Sequence, residues 1–118
     1  MAIDDQSFYL DEFALVIRGQ NVECRYFKGP HAFQRDAIEQ DVNRAKLILV
    51  DYDFRKSTAI DGDMVGYIKR TFPSFNGKIV LLSLIHDFLE DTDAIKSVFD
   101  GVLKKKGLKW DHINAYLN

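Results

Sequence analysis

Apolar residues recur along the chain with two periods, and their alternation predicts helices interleaved with strands. Leu10, Phe13, Ala14 and Ile17 fall at i, i+3, i+4 and i+7, which predicts an amphipathic helix over about residues 7–18, stopped by Gly19. Val22, Cys24 and Tyr26 then alternate with Glu23 and Arg25, a period of two that predicts a short edge strand before Gly29-Pro30 breaks the chain. Phe33, Ala37, Ile38, Val42 and Ala45 return to helical spacing and lead into Leu47-Ile48-Leu49-Val50, a bounded apolar run that reads as a buried strand running up to Asp51. Met64, Val65, Ile68 and Phe72 predict a further helix, which Pro73 and Asn76-Gly77 separate from the buried run Ile79-Val80-Leu81-Leu82. Ala94, Ile95, Val98 and Phe99 predict another helix, Val102-Leu103 a short strand, and Trp110, Ile113 and Leu117 a closing helix.

Strands that are apolar throughout need cover on both faces, and helices between them imply parallel crossovers. The pattern therefore predicts a doubly wound α/β sandwich. Only Met1-Ala2-Ile3 precede the acidic pair Asp4-Asp5 and the first helix, so the first strand is expected to be stunted.

At 118 residues the chain is the size of one domain, residues 1–118, with a single core. Its 16 Lys and Arg stand against 18 Asp and Glu, a net charge of -2 that offers no electrostatic case for nucleic acid or a membrane surface. The apolar runs are far shorter than the roughly 20 residues of a membrane helix. The single cysteine, Cys24, excludes an internal disulfide and a cysteine metal cluster, reads as a buried inert thiol, and fits a reducing, cytoplasmic setting. His31, His86 and His112 lack metal-ligand spacing; His31 and His112 read as surface residues, and His86 lies near the strand tips with nothing in the sequence to support a catalytic role. Phe8, Tyr9 and Trp110 read as core or rim aromatics.

In an open parallel sheet, ligands bind beyond the carboxyl ends of the strands. Asp4 and Asp5 end the first strand, Asp51 the central one and Ser83 the next, while Lys105 falls just past Leu103. Hard oxygen donors of this kind suit Mg²⁺, and clustered carboxylates repel one another without a cation. An aspartate attacks a phosphoryl group only when the incoming charge is neutralised, which a metal, a lysine and a hydroxyl can do together. A nucleotide or flavin binder on this architecture would need a Gly-rich or hydroxyl-rich loop after the first strand, whereas Asp4-Asp5-Gln6-Ser7-Phe8 has no glycine and repels phosphate.

Four stretches in order, Ala2-Ile3-Asp4-Asp5, Leu47 to Asp51, Ile79 to Ser83 and Asp100-Gly101-Val102-Leu103-Lys104-Lys105, resemble the motifs of response-regulator receiver domains of two-component signalling, over essentially the whole chain. The resemblance implies a flavodoxin-like (βα)5 three-layer sandwich with parallel strand order 2-1-3-4-5. By position, Asp51 resembles the phospho-acceptor, and Asp4 with Asp5 the Mg²⁺-binding pair. The backbone carbonyl of Asp53 completes the metal shell in the family. Ser83 matches the hydroxyl residue that contacts the phosphoryl group, and Lys105 the lysine that pairs with it. Lys104 competes for the lysine role, but aligning Asp100-Gly101 favours Lys105; Asp53 competes as acceptor, but Asp51 directly follows the apolar run.

What the family implies is a phosphoprotein rather than an enzyme in its own right, one that assists its own phosphorylation and dephosphorylation. Its partners would be a histidine kinase or phosphotransfer protein and a downstream protein, with no direct nucleic-acid or membrane binding. Leu84, which replaces a small residue, Val102, which replaces an aromatic, and the stunted first strand motivate an alternative, a receiver-like interaction module that does not switch. The chain departs from the family elsewhere too: the stretch from Asp51 to Asp61-Gly62 is longer than usual, Arg55 stands where proline is common, and Lys106 replaces a proline.

Overall fold

The computed structural model describes residues 1–4, 7–52, 56–57, 62–84 and 97–117. Along it run β1 (Ala2–Ile3), α1 (Ser7–Ile17), β2 (Tyr26–Phe27), α2 (Pro30–Asp36), α3 (Glu39–Arg44), β3 (Leu47–Asp51), β4 (Lys56–Ser57), β5 (Gly62–Asp63), α4 (Met64–Thr71), β6 (Lys78–Ser83), β7 (Gly101–Lys104) and α5 (Trp110–Asn114). The main sheet is all parallel in the order β2-β1-β3-β6-β7. Counting its strands alone, this is the doubly wound order 2-1-3-4-5, with a first strand of 2 residues.

Pleating sends successive side chains of one strand to opposite faces, and both faces here are covered. Ile48 and Val50 of β3 and Ile79 and Leu81 of β6 join Phe33, Val42, Met64, Ile68 and Phe72 in one cluster, beneath α2, α3 and α4. Leu47, Leu49, Val80, Leu82 and Leu103 join Leu10, Phe13, Ile17 and Ile113 in the other, beneath α1 and α5. The unbroken apolar runs are thus two interleaved core faces.

Two predicted elements differ, and one stretch without a predicted element holds two strands. The edge strand is confined to Tyr26–Phe27, because β1 offers only Ala2–Ile3 to pair with: the Ala2 N–H reaches the Arg25 carbonyl at 3.0 Å, while Val22 turns back onto Gln20 at 2.8 Å. Cys24, ahead of that pairing, is half-buried rather than buried. The helix expected from Phe33 to Ala45 is two helices, broken where Ala37 and Ile38 are extended. Phe33 and Val42 each bury fully, and Ile38 between them is 52% exposed, so helical spacing counted an apolar residue that does not face the core. The longer stretch after Asp51 contains β4 and β5, which pair as an antiparallel hairpin with Lys56 opposite Asp63. Residues 97–98 are helical, whereas Ala94 and Ile95 lie outside the described residues.

Candidate functional site

The pleat that builds the α1/α5 core also builds the site. Ala2, Leu49 and Leu103 all point into that core, and Asp4, Asp51 and Lys105 each stand two residues further on, at the carboxyl tip of the same strand. Backbone hydrogen bonds carry the ladder past the strand ends. The Asp4 N–H donates to the Phe27 carbonyl at 3.0 Å and the Lys105 N–H to the Ser83 carbonyl at 2.9 Å. Three tips therefore present their side chains to one another.

Lys105 Nζ lies 2.7 Å from Asp4 Oδ2 and 2.5 Å from Asp51 Oδ1. The buried polar or charged residues among those described are Asp4, Asp51, Ser83 and Lys105, and all four were singled out from the sequence. Burial pushes the Lys105 ammonium toward its neutral form, but hydrogen bonds from it to Asp4 and Asp51, reinforced by their charges, outweigh that and hold its pKa above the ordinary lysine value. Lys104, its rival for the role, is exposed.

Ser83 ends β6 with the parity of Ile79 and Leu81, on the opposite face of the pleat. Its Oγ is buried with no hydrogen-bond partner. A buried orphan hydroxyl costs about 1–3 kcal/mol, so this atom is a ready donor for an arriving oxygen. Asp5 and Asp53 lie outside the described residues.

The donors fit a hard divalent cation. Asp4 and Asp51 offer carboxylate oxygens at one point, and as carboxylates their two charges exceed the one that Lys105 supplies. Mg²⁺ characteristically takes one or two carboxylates and keeps waters and phosphate oxygens in its remaining positions. No cluster of three or more His, Cys, Asp or Glu occurs among the described residues.

Among solved structures, the chain is similar to RcsB from Salmonella enterica serovar Typhimurium, bound to promoter rprA in the presence of the phosphomimetic BeF3⁻. The superposition has a TM-score of 0.67 at 19% sequence identity and covers 97% of this chain and 91% of that one. This chain has the flavodoxin-like doubly wound fold of receiver domains. No protein-family model and no curated protein matches the sequence, so the likeness is carried by shape.

Within the receiver fold, one site feature escaped the sequence reading. Tyr9 is half-buried with its ring 4.7 Å from Lys105 Nζ, whereas Phe8, grouped with it as core or rim, is 65% exposed. Only the pairing of α1 with the β7 tip reveals which aromatic faces the cation. His31 and His112 are exposed; the His112 ring accepts from the Lys109 N–H at 3.2 Å and caps α5, while His86 lies outside the described residues. No described helix is long and apolar enough to cross a membrane.

Proposed function

We propose that this chain is a phospho-accepting receiver in which Asp51 takes a phosphoryl group from a histidine kinase or phosphotransfer protein in a Mg²⁺-dependent reaction, and that the phosphorylated form changes a protein-binding face. The observation that carries the reading is the coincidence of all the described buried polar and charged residues at one sheet edge, with Lys105 bridging Asp4 and Asp51. Structural burial of polar groups has no reason to collect at the strand tips where ligands bind in doubly wound sheets.

In the proposed transfer, an Asp51 carboxylate oxygen attacks phosphorus, and a new oxygen–phosphorus bond forms as the bond from phosphorus to the donor's imidazole nitrogen breaks. The departing nitrogen keeps the electron pair. Asp4 and Asp51 would hold the metal, with Asp5 and the Asp53 carbonyl as the further ligands the family resemblance implies. Bound Mg²⁺ supplies positive charge to the phosphoryl oxygens. Lys105 shifts its hydrogen bonds from carboxylate to phosphoryl oxygen, and the Ser83 hydroxyl gains its missing partner.

The test is intact mass after incubation with Mg²⁺ and a small phosphoryl donor such as acetyl phosphate. A single phosphoryl adduct on the wild type, lost in Asp51→Ala, supports the proposal. An unmodified wild type, or an undiminished adduct in the variant, overturns it.

One observation favours a second reading, an interaction module that keeps the fold without switching. Val102, where the family carries an aromatic residue, packs half-buried against the α2–α4 core and offers no swinging ring. Titration with beryllofluoride followed by NMR separates the two: shifts spreading to β7 and α5 indicate a switch, and shifts confined to the Asp51 surroundings indicate a module.

A further inference from the structure

Resting on the phospho-acceptor reading, we infer that Tyr9 is a positioning residue whose ring fixes the Lys105 ammonium against Asp51. Tyr9 stands in the first turn of α1, the helix that follows the Asp4 tip, and its ring centroid is 4.7 Å from Nζ, within the range where a ring quadrupole attracts a cation. The Phe8 ring meets it edge-on at 5.4 Å. Nζ is thus held by two carboxylates and one aromatic ring at once.

A lysine needs such restraint here. Its four-carbon stem is flexible, and it leaves β7 at a turn that ends in Gly107 with φ 72°. Beside it lies a cavity of about 320 Å³, lined among others by Tyr9, Glu12, Val16, Leu82, Lys105 and Leu108. This cavity offers the ammonium room to swing away, and Glu12 offers it another carboxylate. The ring biases Nζ toward the Asp51 side, where a phosphoryl oxygen must arrive.

The same restraint opposes the metal, because Lys105 and Mg²⁺ address the same two carboxylates. Loosening the lysine therefore slows transfer at saturating Mg²⁺ and tightens Mg²⁺ binding, whereas a merely structural defect weakens both. The two effects part in opposite directions.

The test compares wild type, Tyr9→Phe and Tyr9→Leu in the full chain by three measurements. These are the rate of modification by acetyl phosphate at saturating Mg²⁺, the Mg²⁺ affinity by calorimetry, and the acetylation rate of Lys105 by acetic anhydride with mass spectrometry. Tyr9→Leu should modify roughly three- to tenfold more slowly, bind Mg²⁺ more tightly by a similar factor, and expose Lys105 to faster labelling. Tyr9→Phe, which keeps the ring, should match wild type in all three. Unchanged labelling and Mg²⁺ affinity in Tyr9→Leu overturns the inference, as does a Tyr9→Phe variant as impaired as Tyr9→Leu. Should Tyr9→Leu fail to fold, Tyr9→Met, a flexible filler of similar reach, takes its place. Absence of any Asp51 adduct in wild type sinks the phospho-acceptor reading, and the labelling and metal measurements still judge Tyr9.

Discussion

Replacing Lys105 by methionine isolates the electrostatics of the site, because the apolar stem keeps its volume while the charge disappears. In the wild type the ammonium, 6% exposed, sits 2.7 Å from Asp4 Oδ2 and 2.5 Å from Asp51 Oδ1. Removing it leaves two buried carboxylates facing each other, and breaking a buried ion pair by deleting one partner costs about 3–5 kcal/mol. At neutral pH in EDTA the expected loss is about 3 kcal/mol, the low end of that range, read as a lower urea midpoint at unchanged slope. One signature distinguishes this from a packing defect. Mg²⁺ in millimolar excess should restore more stability to Lys105→Met than it adds to wild type, since the metal substitutes for the missing cation. A loss under about 1 kcal/mol in EDTA at pH 7, or a gap indifferent to Mg²⁺, refutes the claim that Lys105 neutralises Asp4 and Asp51.

Alkaline titration should show the reverse side of the same pairing. The folded-state pKa of Lys105 is raised, so its contribution is complete below the ordinary lysine value of about 10.4 and fades as pH climbs through the higher folded value; the stability gap between wild type and Lys105→Met should shrink only in that range. Ser83→Ala removes a buried hydroxyl that has no partner, so unfolding should show unchanged or higher stability without ligand while modification by acetyl phosphate slows. Gly77→Ala would place a Cβ 2.7 Å from the Ala45 and Lys46 backbone oxygens, which cannot retreat without moving the start of β3; a destabilisation of about 1–3 kcal/mol is expected by urea unfolding, with the Asp51 adduct retained in the folded fraction. Phe33→Ala empties a fully buried position that meets Phe27, Tyr67 and Phe72 edge-on, and should lower stability by about 3–5 kcal/mol in the same assay.

The parts of this molecule that were readable in its sequence are those decided by local pattern. β3 and β6 announce themselves because both sheet faces are covered, which leaves Leu47 to Val50 and Ile79 to Leu82 apolar without interruption, and each run delivers its terminal polar residue to the same edge. What was not readable depends on distant partners. The length of β2 is set by β1, so alternation from Val22 to Tyr26 could not reveal that pairing begins only near Arg25. Ile38 resembles a core residue to any count of spacing, yet it lies at the junction of two helices and faces solvent. The hairpin of Lys56–Ser57 and Gly62–Asp63 has no apolar alternation to betray it. Tyr9 and Phe8 are neighbours of like composition, and only the position of Lys105 distinguishes the one that meets a cation.

The distribution of unfavourable burial argues for function more strongly than any single residue does. A sheet selected only to hold this fold would gain by filling its strand tips with apolar side chains, since replacing a buried ion pair with well-packed hydrophobic residues is often neutral or stabilising by about 1–4 kcal/mol. At the amino-terminal edge no described residue buries a charged side chain: the partly buried Met1 ammonium donates to the Leu47 carbonyl, the Leu49 N–H donates to the Met1 carbonyl, and β6 begins with an exposed Lys78. At the carboxyl edge the same strands carry two buried aspartates, a buried lysine and an orphan hydroxyl. The asymmetry follows if the carboxyl edge is kept ready for a ligand that brings both positive and negative charge, and a magnesium ion with a phosphoryl group is such a ligand. Were Lys105 there for stability alone, an apolar triad at positions 4, 51 and 105 would serve as well, and that triple variant should fold at least as stably while accepting neither metal nor phosphoryl group.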